Sequence, residues 1–191
     1  QSGPSGASED ARYVRGDSFT GSEKRVTMGQ VVLKVGDDIS TDVIYPGRFM
    51  ATMLPTETPQ YAFADHEEFN GKLRQKAVPP GSIIVAGKNF GCGSSREQAA
   101  STLKGHELVV VARGIARIFL QNAINLGLRT VICPSIEASE GDELELLPDA
   151  VVNKTTGQRL PTEALPAARQ AIVEAGGLIP YARKKLLESC K

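Results

Sequence analysis

Three short apolar runs in the middle of the chain predict buried strands. They occupy residues 82–86, 108–112 and 130–133 and are rich in Val and Ile. Continuous apolar runs of this length with β-branched residues are typical of strands that are covered on both faces. A fourth run, residues 30–35, ends at a Gly-Asp-Asp turn and predicts another strand.

Helical patterns separate the three central runs. Residues 96–104 predict one helix, and apolar side chains at helical spacing over residues 115–126, stopped by Gly127, predict a second. Strands that alternate with helices of this length imply right-handed crossover connections and a parallel sheet. The expected fold class is therefore α/β, with a central parallel sheet flanked by helices.

The remaining segments predict smaller elements. Alternation over residues 142–146 predicts a strand with one wet face, and residues 151–157 predict a hairpin. A final helix is expected over residues 164–175, ending at a pair of glycines. Residues 46–80 contain several prolines, and an insertion or mobile loop is expected there.

The composition excludes several classes of partner. The chain has 191 residues with 22 basic and 22 acidic side chains, and 5% of its residues are aromatic. A neutral chain with few aromatic residues lacks the features of proteins that bind nucleic acid or anionic membranes. Its longest apolar runs are about five residues, against the roughly 20 that a membrane-spanning helix requires. We therefore expect no nucleic-acid partner and no membrane partner.

The cysteines and the N-terminal segment bear on location and domain organisation. Cys92, Cys133 and Cys190 form no C-x-x-C pair, so we expect no disulfide framework, no metal site within the chain and a cytoplasmic location. Residues 1–27 are rich in Gly, Ser and charge. Their first several residues are interpreted as a cloning remnant and the rest as a flexible leader, although a trimmed organelle leader has a similar composition. Residues 28–191 are expected to form a single domain.

A glycine-rich turn carries the most informative residues. The sequence G-K-N-F-G-C-G-S-S-R-E-Q, residues 87–98, follows a predicted strand and opens a predicted helix. Its glycines let an anion approach main-chain N–H groups at a helix N-terminus, and Arg96 adds a two-pronged donor for a carboxylate. Ser94 and Glu97 match a capping box. The turn indicates an anion site, and the lack of a P-loop or G-x-G-x-x-G pattern disfavours a nucleotide. The alternative is that Ser94 only caps the helix and Arg96 only pairs with a nearby acid.

Three ordered motifs carry a resemblance to a known family. They are G-D-D-I-S-T-D-V-I-Y-P-G-R-F from residue 36, N-F-G-C-G-S-S-R-E from residue 89 and A-R-I-F-L-Q-N-A-I-N-L-G-L from residue 116. Over about residues 29–187 the chain resembles the small subunits of 3-isopropylmalate dehydratase, which form the detached swivel domain of the aconitase superfamily. The resemblance implies an aconitase-like swivelling β/β/α domain.

The resemblance also implies roles for individual residues. Ser94 matches the catalytic base, and Asp42 matches an active-site aspartate that orders the other catalytic groups. Ser95, Arg96 and Thr41 match positions that bind substrate, although Thr41 and Asp42 taken alone could also be a turn or cap pair. A serine can act as a base only where N–H groups and a cation stabilise its alkoxide, and the glycine-rich turn offers both.

The implied enzyme is a hydro-lyase that works as a complex. A separate large subunit would carry a 4Fe–4S iron–sulfur cluster, this chain would bind no cofactor alone, and the active site would form across the interface. The implied reaction removes and restores water on a small hydroxy-dicarboxylic acid, converting 2-isopropylmalate to 3-isopropylmalate in leucine biosynthesis. The chain alone is expected to be inactive.

Substrate selection is expected to depend on the F-M-A-T segment after P-G-R, residues 49–52. Family members that act on an extra carboxylate resemble Tyr-Leu-Arg there, whereas Ala51 would face an alkyl group, whose burial is favourable by about 0.8 kcal/mol per CH₂. Isopropylmalate is therefore favoured over a homoaconitate-type substrate. Gln98 stands where the family usually has a histidine, and this keeps methylmalate or dimethylmalate open as substrates. The alternative of another class is a non-catalytic anion- or RNA-binding module.

Overall fold

The computed structural model describes residues 27–52 and 54–189. The predicted leader, apart from Thr27, and Cys190 lie outside the described residues. The expectation that residues 28–191 form a single domain stays a prediction. Within the described ranges, every helix is too short or too polar to cross a membrane.

The described strands form one mixed sheet of seven, in the order β4-β3-β2-β1-β5-β6-β7. The strands are β1 (Thr27–Lys34), β2 (Ile83–Ala86), β3 (Val109–Ala112), β4 (Thr130–Ile132), β5 (Glu143–Leu146), β6 (Ala150–Asn153) and β7 (Arg159–Pro161). β1 to β4 are parallel, while β5 to β7 continue the sheet antiparallel. β1 belongs to both halves, because its first residues pair with β5 and its last residues pair with β2.

Six helices accompany this sheet in the described ranges. They are α1 (Thr41–Ile44), α2 (Glu67–Arg74), α3 (Glu97–Gly105), α4 (Arg117–Leu126), α5 (Ala167–Glu174) and α6 (Leu178–Ser189). Two short 3₁₀ turns, Gly47–Phe49 and Thr58–Tyr61, lie between α1 and α2.

The core occupies both faces of the parallel strands. All four residues of β2 and of β3 are buried. Ile84 and Val110 pack in a cluster with α3 and α4, whereas Ile83 and Val109 pack in a second cluster beneath the loop after β4 and strands β5 and β6. Because successive side chains of a strand point to opposite faces, a strand covered on both faces has no polar alternation. This is why continuous apolar runs predicted these strands correctly.

The predicted strands, the two central helices and the hairpin are confirmed, but two expectations are wrong. Residues 46–80 are not a mobile loop, because they contain α2, whose Phe69 and Leu73 are buried in the core; that they form an insertion stays a prediction. The helix ending at Gly176 is also not the final one, since α6 follows α5 directly. Gly176 and Gly177 have φ angles of +87° and +126°, which turn the chain between the two helices. Pro180 then lies in the first turn of α6, where a missing N–H costs no helical hydrogen bond.

Candidate active site

The candidate site lies where the parallel strands β1, β2 and β3 end. Backbone hydrogen bonds join the three loops that leave these ends. The N–H of Thr41 donates to Cys92 O at 2.8 Å, the N–H of Gly91 to Ile39 O at 2.7 Å, and the N–H of Phe90 to Gly114 O at 3.0 Å. Adjacent parallel strands place their carboxyl ends at one edge of a sheet. The sheet therefore brings the first two sequence motifs, which are far apart in the chain, into direct contact.

Two glycines make this close approach possible. A Cβ at Gly87 would lie 1.9 Å from Asp37 Oδ1, which accepts the N–H of Lys88 at 2.7 Å. Gly91 has a φ of +79°, and a Cβ there would lie 2.3 Å from the ring of the buried Phe119. Larger residues at these positions would push the two loops apart or displace a core side chain.

Thr41 fixes the carbonyl of Ser94. Thr41 is buried, and its hydroxyl donates to Ser94 O at 2.9 Å across 53 residues of sequence. The same oxygen accepts the N–H of Arg96 at 2.8 Å. The Ser94 side chain is exposed, and its hydroxyl makes no hydrogen bond to residues 27–52 or 54–189. The hydroxyl is therefore presented to the outside from a turn whose backbone is held in place.

The predicted capping box is wrong. Helix α3 begins at Glu97, its N-cap is Arg96, and no side chain caps it. Because the Ser94 carbonyl is held by Thr41 and Arg96 is extended with φ −105° and ψ 108°, the helix starts too late for Ser94 to be its cap. The Ser94 hydroxyl therefore remains available for chemistry.

The backbone around Ser94 offers donors to an anion. Within the described ranges, the N–H groups of Gly93, Ser94 and Ser95 donate no hydrogen bond. Gly93 has a φ of +88°, and both serines are exposed. Successive free N–H groups in a turn form a concave anion site, and the nearby start of α3 adds positive potential. These free donors are consistent with the anion site that the glycine pattern indicated, and that site stays a prediction.

Arg96 follows these N–H groups directly in the chain, and its side chain is held in one orientation. Its Nη1 forms an ion pair with Asp42 and also donates to Tyr45 O at 3.2 Å. The Arg96 side chain is 15% exposed and that of Asp42 is 54% exposed. Its Nε and Nη2 donate to no acceptor in the described part of the chain. The alternative that Arg96 pairs with a nearby acid is therefore correct as far as the pairing goes. The pair uses only Nη1 of the guanidinium.

The 47–52 loop borders the Arg96–Asp42 pair. A Cβ at Gly47 would lie 3.3 Å from Arg96 Nη2. Further along, Phe49 stacks on Tyr61 with ring centroids 4.1 Å apart, and Met50 and Ala51 are exposed. The structure thus places Gly47, at the start of the loop that was expected to select the substrate, next to Arg96.

Other titratable residues fulfil structural roles. His66 Nδ1 accepts the N–H of Phe69 at 3.3 Å and so caps α2, while His106 Nε2 lies 2.8 Å from Pro59 O. Burial raises the pKa of the Cys133 thiol. No group of three or more His, Cys, Asp or Glu in residues 27–52 and 54–189 could hold a metal ion.

Sequence reasoning missed Tyr45, whose carbonyl binds Arg96 and whose hydroxyl binds the 47–52 loop. Its signal was a polar aromatic residue directly after the apolar pair Val43 and Ile44 and before Pro46. Free main-chain N–H groups were expected at this turn, but the glycines alone do not indicate that they belong to Gly93, Ser94 and Ser95.

The fold and the joined loops define a class of protein. Residues 37–135 match the aconitase C-terminal domain family, and this range contains Asp42, Ser94 and Arg96. The crystal structure of 3-isopropylmalate dehydratase from Methanocaldococcus jannaschii has a TM-score of 0.77 and 38% sequence identity, and the match covers 86% of this chain and 98% of that chain. The predicted aconitase-like swivel domain is confirmed.

Individual relatives narrow the class to one family. The isopropylmalate/citramalate isomerase small subunit of M. jannaschii is 45% identical over 83% of this chain and 95% of its own length. The 3-isopropylmalate dehydratase small subunit of Heliobacterium modesticaldum is 42% identical over 82% of this chain and 95% of its own length. The chain therefore belongs to the family of 3-isopropylmalate dehydratase small subunits.

Proposed function

We propose that this chain supplies the proton-moving serine and the carboxylate-binding residues of a 3-isopropylmalate dehydratase that a large subunit completes. The observation that carries the proposal is the exposed Ser94 hydroxyl, set between free backbone N–H groups and the oriented guanidinium of Arg96. The names of the relatives, which call them small subunits, support a large-subunit partner. A cytoplasmic location and the absence of a nucleic-acid partner stay predictions.

Ser94 acts as the base in this proposal. Its alkoxide oxygen takes a proton from one substrate carbon and becomes a hydroxyl. The hydroxyl on the neighbouring carbon leaves as water with a proton from an acid that the large subunit would supply, and a double bond forms between the two carbons. Addition of water in the opposite sense at the two carbons gives the isomeric product. The alkoxide is stabilised by the N–H groups around Ser94 and by the free N–H donors of the Arg96 guanidinium, whose charge Asp42 balances.

The neighbouring residues bind and orient the substrate. Arg96 offers Nε and Nη2 to a substrate carboxylate, because Asp42 and Tyr45 occupy Nη1. Ser95 contributes its N–H and hydroxyl to the same anion. Asp42 holds the guanidinium in place, and Thr41 holds the Ser94 turn rather than presenting its own buried hydroxyl.

The family implies a 4Fe–4S cluster, and the described residues do not fit one. A cluster of this kind needs three or four thiolates, whereas the described part of the chain has two cysteines, the half-buried Cys92 and the buried Cys133. We propose that the large subunit holds the cluster, which when bound supplies a Lewis acid for the substrate hydroxyl.

The 47–52 loop favours an alkyl-substituted malate. Met50 and Ala51 are exposed and apolar, while the one cation of the loop, Arg48, is paired with Asp65. A second carboxylate here would lack a free cationic partner, whereas an alkyl group would gain by burial. Methyl-substituted malate is the second candidate, because one relative is named for isopropylmalate and citramalate together.

The test is turnover by the chain mixed anaerobically with its cognate large subunit, compared with each subunit alone. We expect the mixture alone to isomerise 3-isopropylmalate, with citramalate as a weaker substrate and homocitrate inactive. Preference for homocitrate would contradict the assignment of the 47–52 loop. No turnover with any of them, despite an intact cluster, would favour a binding module instead.

Ser94→Ala tests the base directly. We expect kcat to fall by about 10²–10⁴-fold, the usual contribution of a positioned general base, with unchanged affinity for the large subunit. Ser139→Ala is the matched control, since Ser139 is also an exposed serine whose hydroxyl has no partner in the described ranges. Equal activity of the two variants would remove Ser94 from the mechanism.

A further inference from the structure

Tyr45 is a buried side chain with its polar end on the 47–52 loop. It follows α1 and is 0% exposed. Its hydroxyl lies 3.0 Å from Phe49 O and 3.4 Å from Thr52 O. A phenol has one proton to donate, and a buried hydroxyl without an acceptor is destabilising. These two carbonyls are therefore the acceptors that satisfy the buried Tyr45 hydroxyl. They lie at the two ends of the exposed Met50–Ala51 segment.

The backbone of the same residue contacts the carboxylate-binding side of the site. The Tyr45 carbonyl accepts from Arg96 Nη1 at 3.2 Å, and its N–H donates to Thr41 O at 2.8 Å. Thr41 in turn holds Ser94. Tyr45 thus connects two parts of the site: its backbone carbonyl contacts Arg96, and its hydroxyl contacts the 47–52 loop.

The other contacts of the loop are weaker constraints. The Arg48–Asp65 pair joins side chains that are 54% and 62% exposed, and exposed ion pairs contribute little. The stack of Phe49 on Tyr61 restrains the first half of the loop. Contact with Thr52 O, at the far end, comes from the Tyr45 hydroxyl.

We propose that Tyr45 is a positioning residue for substrate selection, which fixes the separation between Arg96 and the exposed Met50–Ala51 segment. The inference rests on the proposed function, because it assigns the substrate carboxylate to Arg96 and the alkyl group to the loop. A substrate is then selected by the distance between its carboxylate and its alkyl group, because Arg96 and the Met50–Ala51 segment do not move independently. Burial also raises the pKa of the Tyr45 phenol, so the hydroxyl stays a donor over the neutral range.

The test is Tyr45→Phe, which removes only the hydroxyl, assayed in the complex with the large subunit. We expect KM for isopropylmalate to rise about five- to tenfold, as for loss of one ordinary hydrogen bond, with kcat changed less than twofold. The preference for isopropylmalate over citramalate should fall by the same factor. Tyr61→Phe is the matched control, because it removes a hydroxyl from the neighbouring ring, keeps the stack on Phe49, and should leave both constants unchanged.

Hydrogen exchange of the full chain gives a second measurement that needs no turnover. The N–H groups of Met50 and Thr52 are hydrogen-bonded within the loop, and we expect them to exchange at least fivefold faster in Tyr45→Phe than in the wild type or in Tyr61→Phe. Unchanged exchange together with an unchanged substrate preference would overturn the inference while leaving the proposed function intact. An equal loss of kcat/KM for every substrate would overturn it as well, since it would indicate general damage. If the wild-type complex turned over no substrate, the proposed function would fail, and the selective role of Tyr45 with it.

Discussion

Removing the hydrogen bond from Thr41 to Ser94 can show whether the geometry of the Ser94 turn affects activity separately from the stability of the chain. Thr41→Val keeps the shape of the side chain and removes the hydroxyl that donates to Ser94 O at 2.9 Å. A net loss of about 1 kcal/mol is expected for one buried hydrogen bond, or roughly 2–4 °C in Tm for a domain of this size. The Ser94 carbonyl then keeps only the Arg96 N–H. Because a shift of about 1 Å at reacting groups can cost around 100-fold, we expect kcat to fall roughly ten- to 100-fold.

Thr102→Val is the matched control for this change. Thr102 is also buried, and its hydroxyl donates to Thr58 O at 2.8 Å, within the fold and away from Ser94. Thermal unfolding of the two variants should show similar losses, while turnover of isopropylmalate by the complexes should fall only for Thr41→Val. Equal turnover by the two variants would refute the reasoning that the Thr41 hydroxyl positions the catalytic turn.

Two further changes test how the site is supported. Gly91→Ala should destabilise the chain by about 3 kcal/mol or more, because a Cβ would lie 2.3 Å from Phe119 at a φ of +79°. Urea unfolding measures this loss. A loss below about 1 kcal/mol would show that the turn relaxes freely. The Ser139 N–H and the Asn153 amide hold the pKa of Asp142 below its usual value of about 3.9. The stability this provides is present above about pH 4 and is lost as the pH falls below it. The Tm difference between wild type and Asp142→Asn should therefore shrink on acidification, and a difference that does not depend on pH would contradict this origin.

Elements with a strong local signal were predictable from the sequence, and the two errors in the fold have clear physical causes. Helix α2 has only Phe69 and Leu73 as buried apolar residues, which is too short a pattern to recognise among prolines. Its start is marked by His66, a cap that propensity does not favour. Helix α6 buries none of its residues. Its sequence therefore lacks the regular spacing of apolar residues that marks a helix with one buried face. Helix α2 thus depends on tertiary packing and on a side-chain cap, neither of which periodicity reports.

The site was predictable in its residues and less so in its geometry. The glycines, Ser94 and Arg96 share one turn, so the local sequence is sufficient to indicate an anion site there. The contact of Thr41 with Ser94 spans 53 residues and depends on β1 lying next to β2, a strand order that the sequence leaves open. The capping-box error has the same origin, because the bond from Thr41 holds back the start of α3.

The Arg96–Asp42 pair bears on how charge is balanced in the complete enzyme. The substrate is a dianion, while Asp42 already balances the charge of Arg96. The described side of the site therefore offers a carboxylate oriented donors, namely Nε and Nη2 of Arg96 and the N–H groups around Ser94, with little net positive charge. An anion that is bound by dipoles and a neutralised arginine needs further cations near its second carboxylate. Because Arg48, in the 47–52 loop, is itself paired with Asp65, we expect the large subunit to supply these cations. This division of charge gives a physical reason for the expectation that Ser94, the proposed base, has no activity without the large subunit.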